Sequence, residues 1–93
     1  MKNTLIVMGS HPRTRDQFDW SREDVDILVF NEACKMDWVK RADYVIQIHL
    51  PVIWRNPGNR NDPHHYDWLK SGDTPAVLMQ DVYEDVPNAV RYP

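Results

Sequence analysis

The segment Gly9-Ser10-His11-Pro12-Arg13-Thr14-Arg15 brings a glycine, a hydroxyl, an imidazole and two guanidinium groups into one short stretch. It directly follows the apolar run over residues 4–8, where a phosphate-binding turn sits when a strand feeds a helix. Free N–H groups at such a turn attract anions, and Arg13 or Arg15 could add charge-assisted hydrogen bonds to a phosphate. Gly9, Ser10, His11 and Arg13 are therefore candidate ligand-binding residues. The stretch has one glycine, not the three of a dinucleotide fingerprint, and lacks the Gly-Lys-Ser or Gly-Lys-Thr of a P-loop. A plain strand-to-helix turn with solvated arginines is the alternative.

Asn31 and Glu32 follow a second apolar run, at a place where an amide or carboxylate can hold a ribose hydroxyl or a base edge; an Asn cap on the next helix explains Asn31 equally well. His49 closes a third run, and a histidine there could act as a general acid or base near neutral pH. It is the candidate catalytic residue, against a half-buried histidine bonded to a backbone carbonyl. The stretch over residues 54–68 combines Arg55 and Arg60 with asparagines and the rings of Trp54, Tyr66 and Trp68. Rings stack on planar or apolar faces while amides and guanidinium groups read polar edges, so this loop suits nucleotide or sugar recognition, with Arg55 and Arg60 as contacts. The alternative is an ordered surface loop whose rings pack on the body of the protein.

No metal is expected. His64 and His65 are adjacent and so point to different sides of a helix, and their spacing to His11 and Asp62 matches no zinc pattern. Cys34, the single cysteine, has no base partner in sight and reads as a small core residue. No cofactor motif appears.

The elements that must position these groups are legible from periodicity. Residues 4–8, Asp26–Phe30, 44–48 and 75–79 are short continuous apolar runs, suited to strands of a parallel sheet buried on both faces. Pro12 suits the first turn of a short helix through about Gln17, with Ser10 or His11 at its cap. Apolar spacing predicts a helix over residues 31–41, and Asp62, Pro63 and Gly72 predict another over residues 63–71. The polar run over residues 55–61 is a loop. Beyond Gln80 no period is evident. Strands alternating with helical connections imply a small Rossmann-like α/β domain with about four parallel strands, three-layered or incomplete. With the order 3-2-1-4, a topological switch point would fall between strands one and four, and ligands bind at the carboxyl ends of strands near such a point.

With 93 residues, the chain holds one small domain. Its 42% hydrophobic and 27% charged residues fit a globular protein, not a disordered chain or a membrane span. The net charge of −3 lacks the basic excess of a duplex-binding footprint, so no nucleic-acid duplex and no membrane is expected as partner. The lone cysteine and an apolar start too short for a signal peptide imply a cytoplasmic, reducing compartment.

The turn Gly9-Ser10-x-Pro12, the strand ending Val29-Phe30-Asn31-Glu32-Ala33 and the strand ending Ile48-His49 together resemble the N-terminal half of Rossmann-like proteins of phages and bacteria. These are the motility-accessory and pterin-diphosphokinase-like family, more distantly similar to bacterial sialyltransferases that use a cytidine-nucleotide sugar. The resemblance covers about the first 50 residues, and the tail over residues 86–93 is similar to phage homologues. It implies that Gly9, Ser10, Pro12 and Asn31 line a nucleotide site, with His11 where the family has its second glycine and Arg13 where it has serine. The family's transferases carry further strands and catalytic residues in a C-terminal half.

Two functions follow as expectations. The first is binding of a nucleotide or nucleotide-derived ligand by a reduced or truncated transferase-like domain, with the enzyme class open. The second is a non-enzymatic viral accessory or inhibitory protein, in the host cytoplasm, acting through protein–protein contacts. An exposed edge on strand four would invite pairing with a second copy or another chain.

Overall fold

The computed structural model describes residues 2–9, 11–56 and 62–92, without the side chains of Thr14 and Glu32. Five strands form one parallel sheet: β1 (Leu5–Val7), β2 (Asp26–Phe30), β3 (Tyr44–Ile46), β4 (Ala76–Met79) and β5 (Ala89–Arg91). Their order across the sheet is β1-β2-β3-β4-β5, every neighbouring pair parallel. The expectation of a parallel α/β sheet holds. The expected four strands and the order 3-2-1-4 do not: a fifth strand is present, and the chain never turns back past β1.

The connections are short. Helix α1 (Pro12–Gln17) begins with proline at its first turn and is capped by His11, whose Nδ1 accepts the Arg13 N–H at 3.2 Å. The helix expected over residues 31–41 is instead a single 3₁₀ helix, Asn31–Lys35, followed by turns. A single-turn helix (α2, Pro51–Trp54) follows β3, just before the expected loop and where the sequence reading assigned no element, Pro51 again at its start. Helix α3 (His65–Lys70) ends at Gly72, whose φ of 80° suits only glycine without strain.

This strand order decides how the core is built. Right-handed crossovers that all step in one direction place every connection on one face of the sheet. Alternate strand residues point to opposite faces, and register carries the alternation across neighbours. Ile27, Val29, Val45, Val77 and Met79 share the face beneath the connections and are buried almost completely. Phe18, Trp20, Trp38 and Trp68 pack over its first half, and Trp54, Leu69, Tyr83 and Val86 over the second. All four tryptophans thus belong to this connecting layer.

The opposite face carries Leu5, Val7, Leu28, Phe30, Tyr44, Ile46, Leu78 and Val90 by register. None of them joins either apolar cluster. Only Asp26 and Leu28, on a strand flanked on both sides, are buried there, and Val7 and Val90 on the two edge strands are about half exposed. The strands expected to be covered on both faces are covered on one. The molecule measures 34 × 27 × 21 Å, and its short axis suits two layers.

Candidate functional site

Because all strands run parallel, their carboxyl ends share one rim, and Gly9, Asn31 and His49 follow the ends of β1, β2 and β3 in turn. Neighbouring strands lie about 4.8 Å apart, so these three backbone positions span on the order of 10 Å. Arg55, by contrast, is tied to the far side of the sheet, roughly 15–20 Å from β1 by the same spacing. Ser10 and Arg60 lie outside the described residues, as does the side chain of Glu32.

Among the described residues, the crevice that was to gather these groups is missing. A switch point needs the strand order to reverse, but here β1 is an edge strand and β4 lies three positions away. Gly9 is exposed, with open space where a Cβ would stand, so close packing does not demand glycine there. His11 is occupied as the cap of α1, and Arg13 is exposed. His49 is exposed beyond the end of β3.

Asn31 is not the cap of the helix that follows; Phe30 holds that position, without a side-chain bond. Asn31 adopts φ 47°, a left-handed conformation that Asn tolerates better than most residues. From there its Oδ1 accepts two hydrogen bonds at 3.0 Å, from the Ile48 N–H and from Gln47 Nε2. Gln47 is buried, and its Oε1 lies 2.7 Å from Nε2 of the buried His65 on α3. The His65 ring stacks on Trp68, which lies beneath the Lys35 ammonium at 5.5 Å, and Lys35 pairs with Asp62. Burial pushes the Asp62 carboxyl up, but the Lys35 ammonium and the His64 N–H outweigh it and hold it below its ordinary range.

This chain of polar groups runs from the rim into the core and stitches the end of β2 to the end of β3 and to α3. Sequence reasoning singled out Asn31 for a ligand contact but missed Gln47 and His65. Their signal was present: an amide ending an apolar strand and a histidine on a helix of apolar spacing must find partners when buried. Adjacent His64 is exposed while His65 is buried, so the two do point apart.

Arg55 is engaged by its own fold. Its Nε and an Nη donate to the two carboxylate oxygens of Asp85 at 3.0 Å, and its guanidinium lies over the rings of Trp54 and Tyr83 at 4.7 and 5.2 Å. The Tyr66 hydroxyl donates to the same carboxylate at 2.6 Å. The Arg55 guanidinium holds the Asp85 carboxyl well below its ordinary value, at about 2, with Tyr66 adding to the effect against burial. Trp54 and Tyr66 therefore pack on the body of the protein, as the alternative of an ordered surface loop had them, and Arg55 braces α2 to the crossover between β4 and β5.

Away from the rim, a groove of about 390 Å³ runs between α1 and the turns after the 3₁₀ helix, lined by Arg15, Trp20, Asp37, Trp38 and Lys40. Among the described residues no three His, Cys, Asp or Glu side chains gather as metal ligands. No helix among them is long and apolar enough to cross a membrane. No protein-family model, no curated protein and no solved structure matches the chain.

Proposed function

We propose that this chain is a protein-interaction module that works through the uncovered face of its sheet. The observation that carries the reading is the composition of that face: leucine, isoleucine, valine and aromatic side chains along every strand, outside both packed clusters. Contiguous apolar patches of this kind are scarce on monomeric soluble proteins and mark sites of association. The polar groups within it are the Tyr44 hydroxyl and Asp26, whose carboxylate already accepts the Lys2 N–H at 2.7 Å. An apolar face whose one charged strand residue is a carboxylate offers nothing to a phosphate or a nucleic acid. The net charge of −3 also disfavours an anionic lipid surface.

A photo-crosslinking phenylalanine analogue at Leu78, on this face, tests the reading in cells against the same analogue at Lys40 on the connecting layer. Adducts to a polypeptide from position 78 and none from position 40 are expected. No adduct from position 78 in a folded protein removes the proposal.

A second reading keeps the nucleotide-type ligand implied by the resemblance to the motility-accessory family. It is favoured by Gly9, Asn31 and His49 following consecutive strand ends, with Arg13 in α1 just after the first of them and His49 the group able to move a proton. Calorimetric titration with a panel of nucleotides and nucleotide sugars decides it, since silence across the panel in folded protein leaves the interaction module alone.

A further inference from the structure

We propose that the groove between α1 and the turns after the 3₁₀ helix binds a small flat ring that carries one carboxylate. The site lies in the connecting layer and is independent of the open sheet face. The edge of β4, expected from sequence to recruit a partner, plays no part, because β5 pairs with it.

The guanidinium of Arg15 is the first observation. Arg22, Arg41 and Arg55 each donate two side-chain hydrogen bonds within the protein. Their side chains are 43%, 29% and 41% exposed. Arg15 is less exposed than any of these, at 26%, yet its Nε is buried without a hydrogen bond, and the Asp16 carboxylate stands 3.8 Å from it. Among the described residues, no acceptor takes a hydrogen bond from this guanidinium. Guanidinium N–H groups form a rigid fork that matches a carboxylate in bidentate geometry. A partly buried cation whose fork is uncommitted is built to receive such an acceptor.

The aromatic lining is the second. The guanidinium carbon of Arg15 lies 5.0 Å from the centre of the Trp38 ring, and Trp38 stands 6.2 Å from Trp20, the two planes tilted by 56°. Trp20 is held in place, since its Nε1 donates to the Arg15 carbonyl at 3.1 Å and Phe18 meets it edge to face at 5.4 Å. Both indoles are half-buried and line the groove beside Arg15. Indole faces stack on flat rings, and side chains restrained in advance lower the cost of ordering on binding. The groove volume of about 390 Å³ falls in the range of small-molecule pockets, about 300–1,000 Å³.

Burial decides the sign of the ligand's charge. Asp16, Asp37 and Lys40 are exposed, so water and salt screen them, whereas the Arg15 charge against Trp38 is screened less. The inner charge of the groove is thus positive and selects an anion. The carboxylates of Asp16 and Asp37, which also line it, repel a chain of phosphates, so a single negative charge fits best.

Titration of the isotopically labelled chain with naphthoate, followed through the indole N–H resonances, tests the proposal. Shifts at Trp20 and Trp38 with a Kd of about 1 mM or tighter are expected, the strength ordinary for a ligand of this size. Naphthamide has the ring without the charge, and it should bind at least about tenfold more weakly, as should naphthoate to Arg15→Gln. Near-ultraviolet circular dichroism reports whether the variant keeps the fold; if it does not, the naphthoate–naphthamide comparison on the wild-type chain carries the test. ATP should leave both resonances in place, which separates this groove from the nucleotide reading at the rim. The proposal is overturned if neither resonance moves with up to about 10 mM naphthoate in folded protein. Equal affinities for the acid and the amide overturn it too, as does a folded Arg15→Gln protein that binds naphthoate as tightly as wild type, or ATP bound in the groove as tightly as the acid.

Discussion

The two faces of the sheet are built from alternate residues of the same strands, yet they belong to different environments. On β4, Val77 is fully buried beneath α3 and the β4–β5 crossover, while its neighbour Leu78, larger and equally apolar, points to the side that no packed cluster includes. Residue type does not separate the faces. What separates them is the direction of the crossovers: four connections that step the same way cover one side and leave the other bare. A single reversal of strand order would have put a helix on each side. Apolar character on the bare face is therefore retained without contributing to the packing of one copy.

The contrast can be broken by substitution. Trp54→Ala, in the connecting layer, removes a completely buried ring and should cost about 3–5 kcal/mol, read as a fall in denaturation midpoint. The adjacent pair sharpens the point. Val77→Ala should cost about 2 kcal/mol, whereas Leu78→Ala, in dilute protein, should cost under about 1 kcal/mol despite deleting more atoms. Chemical denaturation of both variants at low concentration checks this; equal losses would mean that the bare face is packed after all.

The polar chain beneath the rim belongs with the covered face. Gln47→Leu strands the buried His65 ring and one lone pair of Asn31, and should cost about 1–3 kcal/mol. Asn31→Gly should be less damaging than Asn31→Ala by about 1 kcal/mol, because glycine accepts the positive φ that alanine resists. Thermal unfolding of the two variants side by side gives the difference.

The smallest effect concerns acid. The Asp85 carboxyl titrates at about 2 in the folded protein against an ordinary 3.8. A depressed folded value means that the Arg55–Asp85–Tyr66 bracing is complete above about pH 4 and is lost as pH falls toward about 2. Asp85→Asn should cost about 1 kcal/mol at neutral pH, the upper range for a partly exposed pair, and should flatten the acid limb of the stability profile. An unchanged limb would mean that this pair contributes nothing.

Much of the covered face could be read in advance. Asp26–Phe30 matches its apolar run residue for residue, and the starts and stops set by Pro12 and Gly72 act where proline and glycine chemistry placed them. Helix α2 was missed although Pro51 carried the same signal as Pro12. Strand β5 was not legible, because Ala89-Val90-Arg91 has no run of its own and exists by pairing with β4. The 3₁₀ helix replaced the expected longer helix after β2. The chain there is fixed by contacts distant in sequence: the Arg41 guanidinium donates to the carbonyls of Arg22 and Val25, and Asp43 accepts from the Ile27 N–H.

The strand order itself is the least legible feature, since apolar runs specify strands but not which side of an existing strand the next one joins. The candidate site suffered most from this. Gly9, Asn31 and His49 do follow strand ends on one rim, but the crevice meant to unite them required a reversal that the packing of Trp54, Trp68 and Tyr83 over β3–β5 does not produce.

A sheet in which each strand lies beside its predecessor can be assembled in the order in which it is synthesised. Every new strand finds its template already in place, so a nascent chain emerging from the ribosome completes each pairing without waiting for a later segment to be threaded between earlier ones.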